Sequence, residues 1–378
     1  MVRRLIWVVA LVLVTAAAVG AVGALHRSPA VIAPVALASP AATQALPTPA
    51  PTDTPMPTPT PTAVPTPTPS PTPAATPTPV AYRTLTGAPA ATPPPRPIAV
   101  QIDNAPGARP QTGLVDADVV YEWPTEAQLT RFTALYQTRA PTVVGPVRSA
   151  RLIDLQIIPA HDAILAYSGA ATEVEALLAR AHLDRLQVDV DAAAASWRST
   201  DRYAPYNLYT SIQGLRGVVA RHGWATPSTA QPFVFGPAAP GGSVSGGVDI
   251  PYATGAVDFS YDPATRTYPR SVDGAPHRDA ATGQQIAPRN VVVLFTTFTP
   301  TSIIEDVAGD RSLDVSLQGS GTAWVFRDGR RYVARWQRSG LTDTLHFVDA
   351  TTGQPVPLAE GQTWICLVPQ WLTATPKP

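Results

Sequence analysis

The sequence is poor in cysteine, lysine and charge, and each shortage excludes something. Cys366 is the only cysteine, which excludes an intrachain disulfide and leaves no lipid-accepting cysteine after the apolar N-terminal segment. Charged residues make up 14% of the chain and the net charge is zero, so nothing in the composition favours nucleic acid as a partner. Lys377 is the only lysine. The choice of arginine over lysine therefore says nothing here about bidentate recognition of a ligand. The positions of the arginines in the chain remain informative about where a site lies.

Recognisable catalytic signatures are also missing. The chain contains no G-x-S-x-G, no H-E-x-x-H and no C-x-x-C sequence, which are signatures of nucleophile-elbow hydrolases, zinc proteases and redox proteins. Asp103, Asp116 and Asp118 lack the spacing of a calcium-binding loop. We therefore predict neither a cofactor nor a metal site.

The longest apolar run lies at the N-terminus. Arg3 and Arg4 precede an uncharged run, residues 5–25, that is long enough to span the plasma membrane. Arginines on the short N-terminal side favour a cytoplasmic N-terminus, so the rest of the chain is predicted to be extracytoplasmic. Residues 1–26 are interpreted as a signal anchor. The alternative is a cleaved signal peptide followed by secretion, because small-residue cleavage sequences follow the apolar run.

Proline, by contrast, is abundant, with 44 residues. Residues 47–79 are a near-repeat of proline and threonine without apolar periodicity, which is typical of a solvated spacer of polyproline-II type. We interpret residues 27–94 as a disordered Pro/Thr-rich spacer that separates the folded part from the membrane.

Alternating apolar residues begin at "RPIAVQIDN" and indicate a folded region. Residues 95–236 combine strand-like and helix-like patterns and predict an α/β (α+β) domain with a mixed sheet and flanking helices. A Gly/Pro/Ser joint, 237–248, leads to a small, mostly antiparallel β domain, 249–372, in which "RDGR" predicts a hairpin turn. Residues 373–378 are predicted to form a tail.

Several blocks of the folded region are similar to a known family. The segments "IDNAPGARPQTGLVDADVVYEWPTEAQLTRFTALY", "VGPVRSAR" and "WRSTDRYAPYNLYTS" resemble, in that order, the YerB-like family of bacterial extracytoplasmic proteins. The resemblance covers about residues 95–370 and both parts of a two-part domain of unknown function. It implies a membrane-attached protein outside the cytoplasm, but no reaction. Members are typically lipoproteins, and this chain departs from them because it has no cysteine to lipidate, which leaves residues 5–25 as the anchor.

Charged and polar residues are concentrated in the first folded part, and we predict that they line a ligand-binding cleft. The predicted ligand-binding residues are Asp103, Asn104, Arg109, Arg131, Arg148, Ser149, Arg151, Arg198 and Asn207.

The sequence "GPVRSAR" places two of these arginines where a helix is predicted to begin, at Ser149. Positive charge at a helix N-terminus is unfavourable by about 0.3–1 kcal/mol, so an anionic group is expected beside Arg148 and Arg151. Three explanations remain. An internal carboxylate such as Glu122 or Glu126 pairs with them, a bound carboxylate or phosphate does so, or the helix begins elsewhere.

The segment "WRSTDRYAPYNLYTS" interleaves aromatic and polar side chains, including Arg198 and Asn207. This mixture suits the binding of sugar rings or of an extended peptide, by stacking and directional hydrogen bonds. It is equally typical of an Ω-type loop that packs on its own aromatic rings.

Three functions from different classes remain. The leading interpretation is a non-enzymatic, membrane-tethered binding protein whose arginines contact an anionic cell-envelope component or an envelope protein. The alternative is an envelope hydrolase that uses Glu122 and Glu126, which requires carboxylates about 5–9.5 Å apart in an open cleft. The third is a structural scaffold, which requires that the charges pair with one another.

Overall fold

The computed structural model describes residues 82–378, and in them strands greatly outnumber helices. The strands are β1 (Tyr82–Arg83), β2 (Pro89–Ala90), β3 (Ile98–Asp103), β4 (Val119–Pro124), β5 (Thr130–Tyr136), β6 (Ile164–Tyr167), β7 (Arg185–Gln187), β8 (Ser196–Arg198), β9 (Leu208–Thr210), β10 (Ser243–Val244), β11 (Gly247–Tyr252), β12 (Gly255–Ser260), β13 (Arg270–Val272), β14 (Ala275–Pro276), β15 (Asn290–Thr296), β16 (Phe298–Ile304), β17 (Arg311–Val315), β18 (Gly319–Arg327), β19 (Arg330–Arg338), β20 (His346–Asp349), β21 (Thr363–Pro369) and β22 (Thr375–Lys377). The α-helices are α1 (Asp154–Ala160), α2 (Thr172–Arg180) and α3 (Ile212–Arg221), and single 3₁₀ turns are formed by Pro106–Ala108, Leu114–Asp116, Glu126–Gln128 and Ala193–Ala195.

Eleven strands form one mixed sheet in the order β10-β19-β18-β15-β21-β4-β5-β3-β6-β7, with β20 beside β19. The central strands β3, β4, β15 and β21 are nearly continuous apolar runs because both of their faces are covered. In β19, nearer the edge, buried and exposed residues largely alternate. The mixed sheet agrees with the predicted architecture, but helices are sparser than an α/β description implies.

Two hydrophobic layers cover the two faces of this sheet. Along β15, Val291 and Val293 point into one layer and Val292 and Leu294 into the other, as the two-residue period of a strand requires. The first layer is completed by α3 and by a five-stranded antiparallel sheet, β14-β13-β12-β11-β22. The second is completed by α1, α2 and the separate β16–β17 hairpin.

The predicted joint, 237–248, does not separate two independent sheets. The C-terminal strand β21 lies between β15 and β4 and pairs with both in parallel. Within the joint, β10 pairs with β19. The described residues, 82–378, accordingly belong to one compact unit, because the two predicted domains share their central sheet.

Both ends of the folded region extend further than predicted. Residues 82–94, assigned above to the spacer, form the β1–β2 hairpin, and the Leu85 amide there donates to Gln137 at 2.8 Å. The predicted tail contains β22, which pairs with β11. In each case hydrogen bonds with the main fold order the segment, although its local sequence is rich in proline and threonine and favours an unpaired backbone.

The helix predicted at Ser149 begins at Asp154 instead, and Pro159 lies inside its last turn. The backbone before it is held by other partners, since the amides of Arg148 and Ala150 donate to carbonyls of neighbouring segments at 2.9 and 3.0 Å. The Asp154 carboxylate accepts the Arg151 amide at 2.9 Å. The two arginines therefore precede the helix.

The predicted membrane anchor, residues 5–25, and the proline-threonine repeat lie outside the described residues. In the part of the chain from 82 to 378, no helix is long and apolar enough to cross a membrane.

Candidate functional site

The charged residues predicted in the first folded part meet at one end of the central sheet. Asp103 ends β3 directly opposite Arg131 of β5, and β4 carries Glu122 alongside. The connected set, here called the charged cluster, comprises Asp103, Asn104, Arg109, Glu122, Glu126, Arg131, Arg148, Ser149 and Arg151. Arg198 and Asn207 lie apart from it, at the hairpin of β8 and β9.

Both arginines of "GPVRSAR" face internal carboxylates. Arg148 Nε lies 2.9 Å from an Asp103 carboxylate oxygen. Arg151 donates to both carboxylate oxygens of Glu126, at 2.9 Å from Nε and at closer range from Nη2. Glu305 approaches from the end of β16, 3.3 Å from Arg151 Nε. These arginines are therefore neutralised from within the protein.

Burial and neighbouring charges oppose each other around Glu126. Burial alone would raise the pKa of Glu126, but the hydrogen bond from Arg151 and the charges of Arg131 and Arg151 lower it to about 2. Burial, together with the positive charge of Arg151, lowers the pKa of Arg131 to about 9. Arg131 is still charged at neutral pH, and its Nη1 donates to the Ser149 carbonyl at 2.8 Å.

Glu122 is the centre of the deeper half of the charged cluster and has no exposure to solvent. Arg270 from β13 donates through Nη2 to both of its carboxylate oxygens, at 2.8 and 3.0 Å. Trp364 Nε1 donates to Glu122 at 3.0 Å, and Asn104 Nδ2 at 3.3 Å. The rings of Phe132, Phe259 and Trp364 surround the Arg270 guanidinium at 5.2–5.8 Å, an arrangement favourable to a desolvated cation.

His277 extends this network to a third segment of the chain. Arg270 can only donate, so His277 Nδ1 accepts from it, and the proton must be on Nε2, which donates to Gln111 Oε1 at 2.7 Å. Burial, followed by the charges of Arg270 and Arg109, lowers the pKa of His277 well below its usual range. Gln111 in turn donates to Asn104 Oδ1 at 2.9 Å. The network thus joins β4, the loop after β3, and β13.

Neither glutamate of the proposed acid/base pair has the environment that a general acid needs. Glu122 is enclosed, and its oxygens already accept hydrogen bonds from Arg270 and Trp364. Glu126 is held ionised by arginines, with its pKa lowered to about 2. A glycosidase acid requires a raised pKa and access to substrate, and neither side chain combines the two.

The β8–β9 hairpin, here called the aromatic hairpin (residues 196–210), is the most open of the predicted sites. Trp197 stacks on Tyr209 with ring centroids 6.3 Å apart, and Tyr203 meets Tyr206 edge-on at 5.5 Å. Trp197 is 41% exposed and Tyr203 70%. A cavity of about 350 Å³ is lined by Trp197, Tyr209 and Arg202, among other residues.

Polar side chains of the aromatic hairpin are held in place. Arg198 donates to Asn207 Oδ1 at 3.1 Å and pairs with Asp189 at 3.2 Å. Arg202 donates to the carbonyls of Ala108 and Pro110, each at 2.7 Å. The hairpin is thus fixed to the 3₁₀ turn that follows β3, and it presents its rings in a defined orientation.

Sequence reasoning missed Arg270, His277 and Glu305. In a chain whose basic residues are nearly all arginine, Arg270 has no local signal that separates it from a surface arginine, and its partner lies 148 positions away. Among residues 82–378, no group of three or more histidine, cysteine, aspartate or glutamate side chains is arranged to hold a metal ion.

The shared central sheet, and the buried pair of Glu122 and Arg270 that links it to the five-stranded sheet, define a class of two-part, β-rich proteins in which the two parts share one core. The chain belongs to the family described as "Protein of unknown function (DUF3048)". Residues 85–225 match its N-terminal domain and residues 248–365 its C-terminal domain.

A sequence comparison and a structural comparison with YerB of Bacillus subtilis support this assignment. A protein of Bacillus subtilis (strain 168) named "Putative lipoprotein YerB" is 31% identical over 280 residues, which cover 72% of this chain and 81% of that protein. The crystal structure of the YerB protein from Bacillus subtilis matches with a TM-score of 0.67 and 28% sequence identity, over 77% of this chain and 98% of that chain. The resemblance expected from the sequence is confirmed.

Proposed function

We propose that the chain is a non-enzymatic, extracytoplasmic binding protein that recognises glycan strands of the cell envelope through the aromatic hairpin. The lipoprotein name of the Bacillus relative supports a location outside the plasma membrane. On this proposal residues 5–25 replace the lipid as the anchor.

The observation that carries the proposal is the partly exposed Trp197 ring, which lines a cavity together with Tyr209 and the fixed side chain of Arg202. Flat aromatic rings bind the apolar faces of sugars, and planar polar groups at their edges select the hydroxyls and amides. Arg202 supplies such a group in the cavity, and the hydrogen bond between Arg198 and Asn207 orders the same hairpin before a ligand arrives. Arg148 and Arg151 of the charged cluster face internal carboxylates and take no part in this glycan site.

The test is co-sedimentation of residues 75–378 with purified peptidoglycan sacculi, with soluble N-acetylglucosamine tetramer as competitor. Trp197→Ala is expected to weaken binding about tenfold, since an aromatic contact contributes about 0.5–1.5 kcal/mol beyond the area it buries. Trp371→Ala is the matched control, because Trp371 is 68% exposed but lies outside the hairpin.

Failure of the wild-type fragment to sediment would refute glycan binding. Equal loss in both tryptophan variants would refute the assignment to the hairpin. Sedimentation that the sugar tetramer cannot reverse would show that the peptide part of the sacculus is recognised instead.

A further inference from the structure

Glu305 occupies an unusual position for a glutamate at a hairpin tip. Its neighbours Ile304 and Val307 are exposed, yet the Glu305 side chain has no exposure to solvent. Neither of its carboxylate oxygens accepts a hydrogen bond of good geometry, although Ser312 of β17 lies close enough to oppose the rise in the pKa of Glu305 that burial causes. A buried carboxylate with so few partners is costly, and the positive charge of Arg151 at 3.3 Å offsets that cost.

Glu305 contacts Arg151, one of two neighbouring arginines with too few partners. Arg131 and Arg151 share the single carboxylate of Glu126, with Arg131 Nη2 3.8 Å away. Arg131 Nε is buried and has no acceptor. Asp154, bonded to the Arg151 amide, supplies only part of a charge at neutral pH, because burial raises its pKa to about 7. Glu305 therefore supplies the missing negative charge.

The element that carries Glu305 is separate from the central sheet. β16 and β17 pair only with each other, and Phe298 and Val315 bury the base of the hairpin in the core. The tip after Glu305 is exposed, as Val307 shows. On the other side of the arginines lies the 3₁₀ turn that carries Glu126, where Ala127 and Gln128 adopt positive φ angles of 55° and 57°. Displacement of the tip would thus leave the central sheet intact.

We propose that Arg131 and Arg151 form a carboxylate-binding site and that Glu305 occupies it as an internal substitute until a free carboxylate displaces the hairpin tip. The chemical class follows from the occupant, since the site accommodates a glutamate side chain with its charge buried. This proposal is independent of glycan binding by the aromatic hairpin, which involves none of these residues.

The first experiment is calorimetric titration of residues 75–378 with glutarate, which carries the same carboxylate group as Glu305. When Glu305 fills the site in about nine molecules of ten, only about one molecule in ten is free to bind glutarate. The apparent affinity of wild type for glutarate is then about tenfold lower than that of a protein whose site is empty. Glu305→Gln is therefore expected to bind glutarate at least about tenfold more tightly than wild type. The matched control is Glu360→Gln, which removes an exposed glutamate that pairs with Arg83 and should leave binding unchanged.

Equal affinity of Glu305→Gln and wild type for glutarate would overturn the proposal. Equal binding of inorganic phosphate by Glu305→Gln would overturn the assignment to carboxylates.

A second measurement needs no variant. Saturating glutarate should raise amide hydrogen exchange of wild-type residues 304–311 severalfold while β15 and β21 stay protected. Unchanged exchange at the hairpin tip would show that the tip does not move, and the proposal would fail even if Glu305→Gln did not fold.

Discussion

The buried pair of Glu122 and Arg270 gives the most decisive prediction. Both side chains have no exposure to solvent, and Glu122→Gln would keep the shape while leaving the Arg270 guanidinium buried without a countercharge. Removing one partner of such a pair costs about 3–5 kcal/mol, and Trp364 Nε1 also loses a charged acceptor. Because domains are stable by only about 5–15 kcal/mol, we expect a large loss of stability.

The assay is urea unfolding of residues 75–378, followed by tryptophan fluorescence, to which Trp364 at the site contributes. Glu360→Gln is the matched control, since its exposed pair with Arg83 contributes only about 0–1 kcal/mol. At about 2–4 °C per kcal/mol for large domains, Glu122→Gln should also lower the melting temperature by about 6–20 °C.

Two results would refute this reasoning. A loss below about 1 kcal/mol in Glu122→Gln would mean that the pair is not desolvated as the structure shows. Strict additivity of Glu122→Gln and Arg270→Met in the double variant would mean that the two side chains do not act as one unit.

Three further predictions concern other parts of the fold. Ser211 caps α3, so Ser211→Ala should lower the free energy of unfolding by about 1 kcal/mol in urea titration. Gly247 has a φ of 132°, and a Cβ there would lie 1.9 Å from the Phe259 carbonyl oxygen, so Gly247→Ala should abolish soluble expression. Gly309 also has a positive φ, 83°, but open space around it, so Gly309→Ala should cost only the backbone strain of about 1–2 kcal/mol and remain soluble. Burial raises the pKa of Asp154 to about 7. The folded state then binds a proton between pH 4 and 7 that the unfolded state lacks, and stability falls as pH rises through that window, by at most about 1.4 kcal/mol per unit. Asp154→Asn should flatten this slope in urea midpoints measured from pH 4 to 8, and an unchanged slope would assign it to another group.

Much of the strand pattern could be predicted from the sequence. Apolar alternation located the start of the folded region at β3, and the Asp-Gly turn located the β18–β19 hairpin, because both signals depend on neighbouring residues. Charged residues singled out from the sequence meet at the end of β3, and their role in ligand binding stays a prediction. The start of α1 could not be predicted, because the amides around Ser149 are satisfied by distant carbonyls that no local pattern reveals.

The pairing of β21 with β4 could not be predicted for the same reason. An apolar run such as "TWICLVP" is equally compatible with several neighbours, and the choice among them depends on contacts between residues far apart in the chain. Arg270 was missed because its significance comes entirely from its burial against Glu122.

The burial of Glu122 against Arg270 makes this ion pair sensitive to the register of β4, which sequence patterns alone do not reveal. In the observed register Glu122 lies beside Cys366 and faces the layer that contains Phe132 and Trp364. A slip of one residue would turn Glu122 to the opposite layer, away from Arg270, and would leave both charges buried and unpaired. The observed register of β4 against β21 therefore satisfies both charges, whereas a one-residue slip does not. The two family domains are joined in that register by a buried ion pair.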